Sequence, residues 1–324
     1  MLGSACLALL ALAGGEQPSD DEIVFRTDVA LVRVDAQVVD RNNHAIAGLT
    51  VDDFTLKEAG RPQEIRNFAS ESMPVDVLLL LDVSASMRPH VELIASTAHE
   101  AFRVLSDRDR IGIMVFDRTT RLRLPFRSDK NEAEREFEAL VEQESFRGGT
   151  DITRGMLDAA EYIGREGRRD ARRAIVILTD DRTERYRDDE RVGRALTNAD
   201  TVMSALIAAD AIRLRQRPRV GRDGVVPTRR AAYDGMAASM LSAGTSQIAD
   251  ASGGDSVPAN DASALEATLS RIRHRYALHF YQPPDATPGE ERDVEVGLSE
   301  AARKLYRGAE VRYRRVYIMP SAPK

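Results

Sequence analysis

Tryptophan is absent, cysteine occurs once, and lysine stands only at positions 57, 130, 304 and 324. A single cysteine excludes an intramolecular disulfide framework, so stability has to come from packing. The apolar run Ala5 to Ala13 falls well short of the ~20 residues that a membrane-crossing helix needs, and no later stretch qualifies. With so little lysine, 42 of the 46 basic residues are arginine, set against 52 acidic residues for a formal charge of -6. That balance argues against a chain that binds nucleic acid over its whole length. The arginine excess itself reads first as a bias of genome base composition. No G-x-x-x-x-G-K-[ST] segment exists, which excludes a P-loop nucleotide hydrolase. The histidines, at 44, 90, 99, 274 and 279, are scattered and show no zinc-binding spacing. What is present is 43% hydrophobic and 30% charged residues, the composition of a globular protein, and 324 residues predict about two domains.

Residues 1–15, MLGSACLALLALAGG, combine a short apolar run with a small-x-small pattern at Ala11-Leu12-Ala13, and acidic residues follow. The expectation is a secretory signal peptide, although no basic segment precedes it, and hence an exported protein of the periplasm, cell envelope or extracellular space. The apolar run follows Cys6 where a lipoprotein signal would place it ahead, so lipidation is not expected. The lone thiol would leave with the signal, excluding a cysteine-nucleophile enzyme.

Residues 24–70 alternate with period two. Strands are expected at Thr27–Asp40, Asp52–Glu58 and Ile65–Phe68, separated by the turn signals Asn42-Asn43 and Ala59-Gly60-Arg61-Pro62. A module of about 47 residues is marginal alone. Residues 275–318 offer the missing strands at Tyr276–Tyr281, Asp293–Leu298 and Val311–Tyr317. The expectation is one small, Ig-like β-sandwich built from both chain ends, 24–70 and 275–318.

Between them the pattern changes. Near-continuous apolar runs at Val75–Leu81, Arg110–Phe116, Ala174–Thr179 and Thr201–Ala208 read as strands buried on both faces. Thr120–Leu124 reads as an edge strand. Helical patterns fall at Val91–Ser106, Lys130–Gln143, Ile152–Ile163, Asp188–Thr197, Tyr233–Ala251 and Asp261–Arg273. Strands alternating with helices predict an α/β fold with a doubly wound, mostly parallel sheet. Ligands in such sheets bind at the carboxyl ends of the strands.

The chemistry-bearing residues fall there. Asp82-Val83-Ser84-Ala85-Ser86 follows the first central strand, Thr179-Asp180-Asp181 closes the third, and Gly148-Gly149-Thr150 opens a helix between them. Two carboxylates and three hydroxyls are all oxygen donors, which suits a hard cation such as Mg²⁺ and leaves a coordination position open.

In this order the motifs resemble those of a von Willebrand factor type A domain with a metal-ion-dependent adhesion site. That family shows D-x-S-x-S, then a threonine in a Gly-Gly-Thr turn, then an aspartate after a hydrophobic strand. Here these are Asp82, Ser84, Ser86, Thr150 and Asp180, within a domain spanning residues 74–273. The resemblance implies that Ser84, Ser86 and Thr150 ligate Mg²⁺, or Mn²⁺ or Ca²⁺, directly. Asp82 and Asp180 would act directly or through water. It also implies a protein-binding module, not an enzyme, in which a partner's Asp or Glu carboxylate completes the cation's shell. The flanking strands are similar to those of bacterial exported von Willebrand A-related proteins.

Two departures stand out. Many relatives have glycine where this chain has Asp181, and a carboxylate there would either tighten cation binding or repel an acidic partner. Residues 209–232 carry seven arginines, an insertion that reads as a solvated loop or a partner-contacting arm. Two other functions are weighed. One is a metal-independent scaffold of the cell envelope. The other is a Mg²⁺-dependent phosphohydrolase with Asp82 as nucleophile, for which the second aspartate and the phosphate-binding lysine are missing.

Overall fold

The computed structural model describes residues 31–70, 73–208 and 241–319. Strand β1 (Leu31–Val39) leads through a short helical turn at Val51–Asp53 to β2 (Phe54–Glu58), β3 (Arg61–Gln63) and β4 (Asn67–Ala69). In β2 the buried Phe54, Leu56 and Glu58 alternate with exposed Thr55 and Lys57, as a half-buried strand requires. The turn into β3 sets Ala59 and Gly60 at φ of 46° and 76°, the conformation that matches strand twist in a tight hairpin. Pro62 is accommodated because β3 is an edge strand, where a missing N–H costs no ladder bond.

The central region runs β5 (Val75–Asp82), α1 (Arg88–Ala95), α2 (Ala98–Arg103), β6 (Arg110–Phe116), β7 (Thr120–Arg127), α3 (Lys130–Gln143), α4 (Ile152–Glu166), β8 (Arg172–Thr179), β9 (Arg182–Thr183), α5 (Asp189–Asn198) and β10 (Thr201–Ile207). After the undescribed stretch come β11 (Leu241–Ser242), α6 (Thr245–Ala251), β12 (Ser256–Pro258) and α7 (Ala264–Arg273). Six strands form one sheet in the order β12-β10-β8-β5-β6-β7, parallel except for the antiparallel edge strand β7. Every residue of β5 is buried because helices cover both faces. Val91, Phe102, Phe137 and Leu269 of α1, α2, α3 and α7 pack on one face. Met156, Val192 and Ile248 of α4, α5 and α6 pack on the other. Aspartates start three of the helices: the side chains of Asp129, Asp151 and Asp188 accept from the first free N–H groups of α3, α4 and α5.

The chain then forms β13 (Arg275–Tyr281), β14 (Glu291–Leu298), α8 (Glu300–Leu305), β15 (Glu310–Tyr313) and β16 (Val316–Ile318). Two four-stranded antiparallel sheets result, β15-β1-β13-β4 and β16-β14-β2-β3, and each contains strands from both chain ends. Their shared core includes Val34, Phe54, Leu56, Leu278, Phe280 and Val296. Tyr276 stacks among Phe54 and Phe68, and its hydroxyl donates to the Ile46 carbonyl at 2.8 Å. The α/β fold with a sandwich made from both ends is thus as expected.

Where the expectations differ, a local cause is visible. The helix expected over Val91–Ser106 is two helices, because the Ser96 and Thr97 hydroxyls turn onto the carbonyls of Leu93 and Ala262, each at 2.7 Å. Of the helix expected over Tyr233–Ala251, residues 233–240 lie outside the described residues. Leu241–Ser242 pair with β9 instead, and Gly244 at φ 71° delays the helix to Thr245. The strand expected over Val311–Tyr317 is split between the two sandwich sheets at Arg314, whose guanidinium is drawn to Asp200 at 2.8 Å. The strands β3 and β12 and the helix α8 were not anticipated. The signal-like residues 1–15 and the arginine-rich 209–232 lie outside the described residues. No helix among the described residues is long and apolar enough to cross a membrane.

Candidate metal centre

The chain leaves β5 toward β6 on one side and later returns to β8 on the other. This reversal opens a crevice beyond the carboxyl ends of β5 and β8. Asp82 ends β5 with no exposed surface. Its two carboxylate oxygens accept from the Ser84 N–H at 2.8 Å and from the Thr179 hydroxyl at 2.9 Å. The Ser84 and Ser86 hydroxyls lie 3.4 Å apart, and Ser86 donates to the Asp180 carboxylate at 2.7 Å. The other Asp180 oxygen accepts from the Arg182 N–H at 3.1 Å. Four of the five expected residues therefore form one connected network.

Thr150 reaches the same edge by backbone pairing. Gly148 bridges to Ser84, and the Thr150 carbonyl accepts from the Glu184 N–H at 3.0 Å. A Cβ on Gly149 would meet the Glu184 carboxylate, so a larger residue there would displace Glu184 from Arg118, which grips it at 2.8 and 3.1 Å. The Thr150 side chain is buried, and its hydroxyl has no hydrogen-bond partner among the described residues. An orphaned buried hydroxyl is costly and calls for a reason.

The electrostatics point the same way. Burial first, and repulsion from Asp180 second, hold the Asp82 carboxyl well above the usual carboxylate range. Burial also raises Asp180. No cluster of three or more His, Cys, Asp or Glu forms among the described residues, so the donor set is two carboxylates and three hydroxyls. That set fits a hard divalent cation, which would supply the missing positive charge and an acceptor for the Thr150 lone pairs.

Sequence reasoning missed Thr179, which orients Asp82; its only signal was a hydroxyl immediately before Asp180. The structure also gives Asp181 a different part from either expected. At φ 60°, it accepts from the Ser242 hydroxyl at 2.6 Å and the Thr245 N–H at 2.9 Å, anchoring the start of α6. Asp151 likewise accepts the Arg154 N–H at 3.0 Å as the cap of α4.

A doubly wound sheet with such an edge is the frame of a ligand-binding α/β domain. Residues 77–183 match the family model of the von Willebrand factor type A domain. Among solved structures, it is similar to an aerotolerance-related membrane protein from Bacteroides fragilis (20% identity, 61% of this chain, 98% of the other, TM-score 0.46). It is also similar to the conserved hypothetical protein BatB from Bacteroides thetaiotaomicron (21% identity, 61% and 96%, TM-score 0.42). A third is proximal thread matrix protein 1 of the mussel byssus, solved with a zinc-occupied MIDAS motif (14% identity, 63% and 48%, TM-score 0.42). No curated protein matches the chain.

Proposed function

We propose that this is a metal-dependent protein-binding module, with its von Willebrand factor type A domain within residues 74–273 and the sandwich of 24–70 and 275–318 as a flanking unit. Asp82, Ser84, Ser86, Thr150 and Asp180 hold the cation, and Mg²⁺ is the expected ion. A bound divalent cation supplies a Lewis-acidic position for a carboxylate oxygen of the partner. The residues of the chain orient that position: Thr179 and the Ser84 N–H fix Asp82, and Ser86 fixes Asp180. Export follows from the signal-like residues 1–15.

The observation that carries the reading is the buried Thr150 hydroxyl, unpartnered beside a network of two carboxylates in need of positive charge. The test is calorimetric titration of Mg²⁺ into the protein and its Thr150→Val variant, which keeps the side-chain shape and removes the oxygen. Affinity should fall at least tenfold while the metal-free protein stays as stable or becomes more so. Unchanged affinity would remove the threonine from the site.

A further inference from the structure

We propose that the groove between α4 and α5 docks an extended acidic segment of the partner, continuing from the cation site. The proposal rests on the reading above and adds the chemistry of the partner. The groove is open to solvent, has a volume of about 1120 Å³ and includes Asp151, the residue after Thr150, in its lining. It follows α4 as far as Gly164, about 20 Å at 1.5 Å per residue. That length holds about six extended residues at ~3.3 Å each. A segment lying in it with one end at Asp151 brings that end to the cation.

Charge decides what fits. The carboxylates in the walls are already engaged. Asp151 and Asp188 cap their helices, Asp158 lies 3.4 Å from Arg154, and Glu161 lies 3.7 Å from Arg165. In contrast, the guanidinium groups of Arg185 and Arg191 have no hydrogen-bond or ion-pair partner among the described residues. Between them Tyr186 is 88% exposed. Tyrosine and arginine at a groove wall are the residue types that most often anchor protein partners. The floor is small and close-packed: a Cβ on Gly164 would meet the Ala199 methyl at 3.2 Å. Two guanidiniums without a partner among the described residues along the groove favour carboxylates on the segment that fills it.

The probe is a fluorescein-labelled hexaglutamate peptide, with a matched Gly/Ser hexapeptide bearing one glutamate as reference, read by fluorescence anisotropy in Mg²⁺. Hexaglutamate should bind the full chain more tightly than the reference. Arg185→Ala with Arg191→Ala should weaken hexaglutamate at least tenfold, leave the reference peptide unchanged, and leave calorimetric Mg²⁺ affinity unchanged. Equal binding of hexaglutamate by the double variant and the parent overturns the proposal, as does equal binding of the two peptides by the parent. If the chain takes up no Mg²⁺, the cation reading fails by itself. The groove then stands only if arginine-dependent hexaglutamate binding persists in EDTA. Self-association lost on Arg185→Glu, without peptide binding, would assign the groove to a second copy and overturn the proposal.

Discussion

Strand β5 carries an aspartate at each end, and the two are treated in opposite ways. Asp76, at the amino end, is buried and receives both guanidinium arms of Arg110 at 2.9 and 2.6 Å, two more from Arg168 at 3.0 and 2.6 Å, and the Arg168 N–H at 2.8 Å. Burial pushes its pKa up, but these arginine contacts outweigh it and hold the carboxyl below its ordinary value. Asp82, at the carboxyl end, is equally buried, meets hydroxyls and one N–H, and is held above its ordinary value. The neighbouring strand repeats the contrast. β8 begins at the buried Arg172, 3.3 Å from Asp35 of the sandwich, and is followed by Asp180. One edge of the sheet is neutralised by the protein itself; the other is left short of positive charge. The difference separates a structural carboxylate from a functional one more sharply than burial does, since both are buried.

Substitutions at the two ends should therefore differ in sign. Asp76→Ala leaves Arg110 and Arg168 facing each other without their shared anion. Because both guanidiniums keep some solvent contact, the loss sits at the low end for a broken buried pair, about 3 kcal/mol in urea unfolding. Asp82→Asn should instead stabilise the metal-free protein at neutral pH, on the order of 1 kcal/mol, by removing the buried member of a pair of repelling charges. The same variant should lose the Mg²⁺-induced rise in Tm. Equal destabilisation by both substitutions would break the contrast and make Asp82 a structural residue.

At the seam between the sandwich and the amino edge of the sheet, the carboxylate of Asp35 sets a pH dependence. Burial raises the Asp35 pKa, but Arg33, Arg172 and Arg275 outweigh it and hold it at about 2, against 3.8 ordinarily. A carboxylate depressed in the folded state contributes stability above its unfolded pKa. That contribution is lost as pH falls through the folded one. The window is therefore pH 3.8 down to about 2, and the contribution about 2 kcal/mol. Asp35→Asn should flatten the stability profile in that window and leave Mg²⁺ affinity near neutral pH unchanged. An unaltered acid profile would show that the seam arginines do not depend on Asp35.

Much of the charge-poor edge was legible in the sequence, and almost none of the neutralised one, with its seam against the sandwich. Asp82, Ser84, Ser86, Thr150 and Asp180 are tied to strand ends and a helix start. Those positions follow from apolar runs and turn residues, so the order of motifs carried them. The seam depends on pairs such as Arg172 with Asp35 and Arg33 with Asp200, separated by 137 and 167 residues, and no local pattern announces such pairs. The arginine excess, read from composition as a genome bias, finds here a physical use: a planar fork can grip a buried carboxylate at two points, as Arg110 does, where lysine cannot. The break at Thr97 and the change of sheet at Arg314 were hidden for the same reason, since tertiary partners cause both.

Asp181 tests where the charge-poor edge stops. It neighbours Asp180, yet its carboxylate faces Ser242 and Thr245, as a seam residue would. Asp181→Gly removes a helix-start acceptor, which costs about 1 kcal/mol. It also relieves a non-glycine residue at φ 60°, which returns a similar amount. The net change in stability should stay within about 1 kcal/mol, the smallest effect considered. Mg²⁺ affinity by calorimetry should change by less than tenfold, because the carboxylate accepts from Ser242 and Thr245 and acts on Asp180 only through its charge. A drop in affinity of tenfold or more would place Asp181 inside the site and extend the charge-poor edge by one residue.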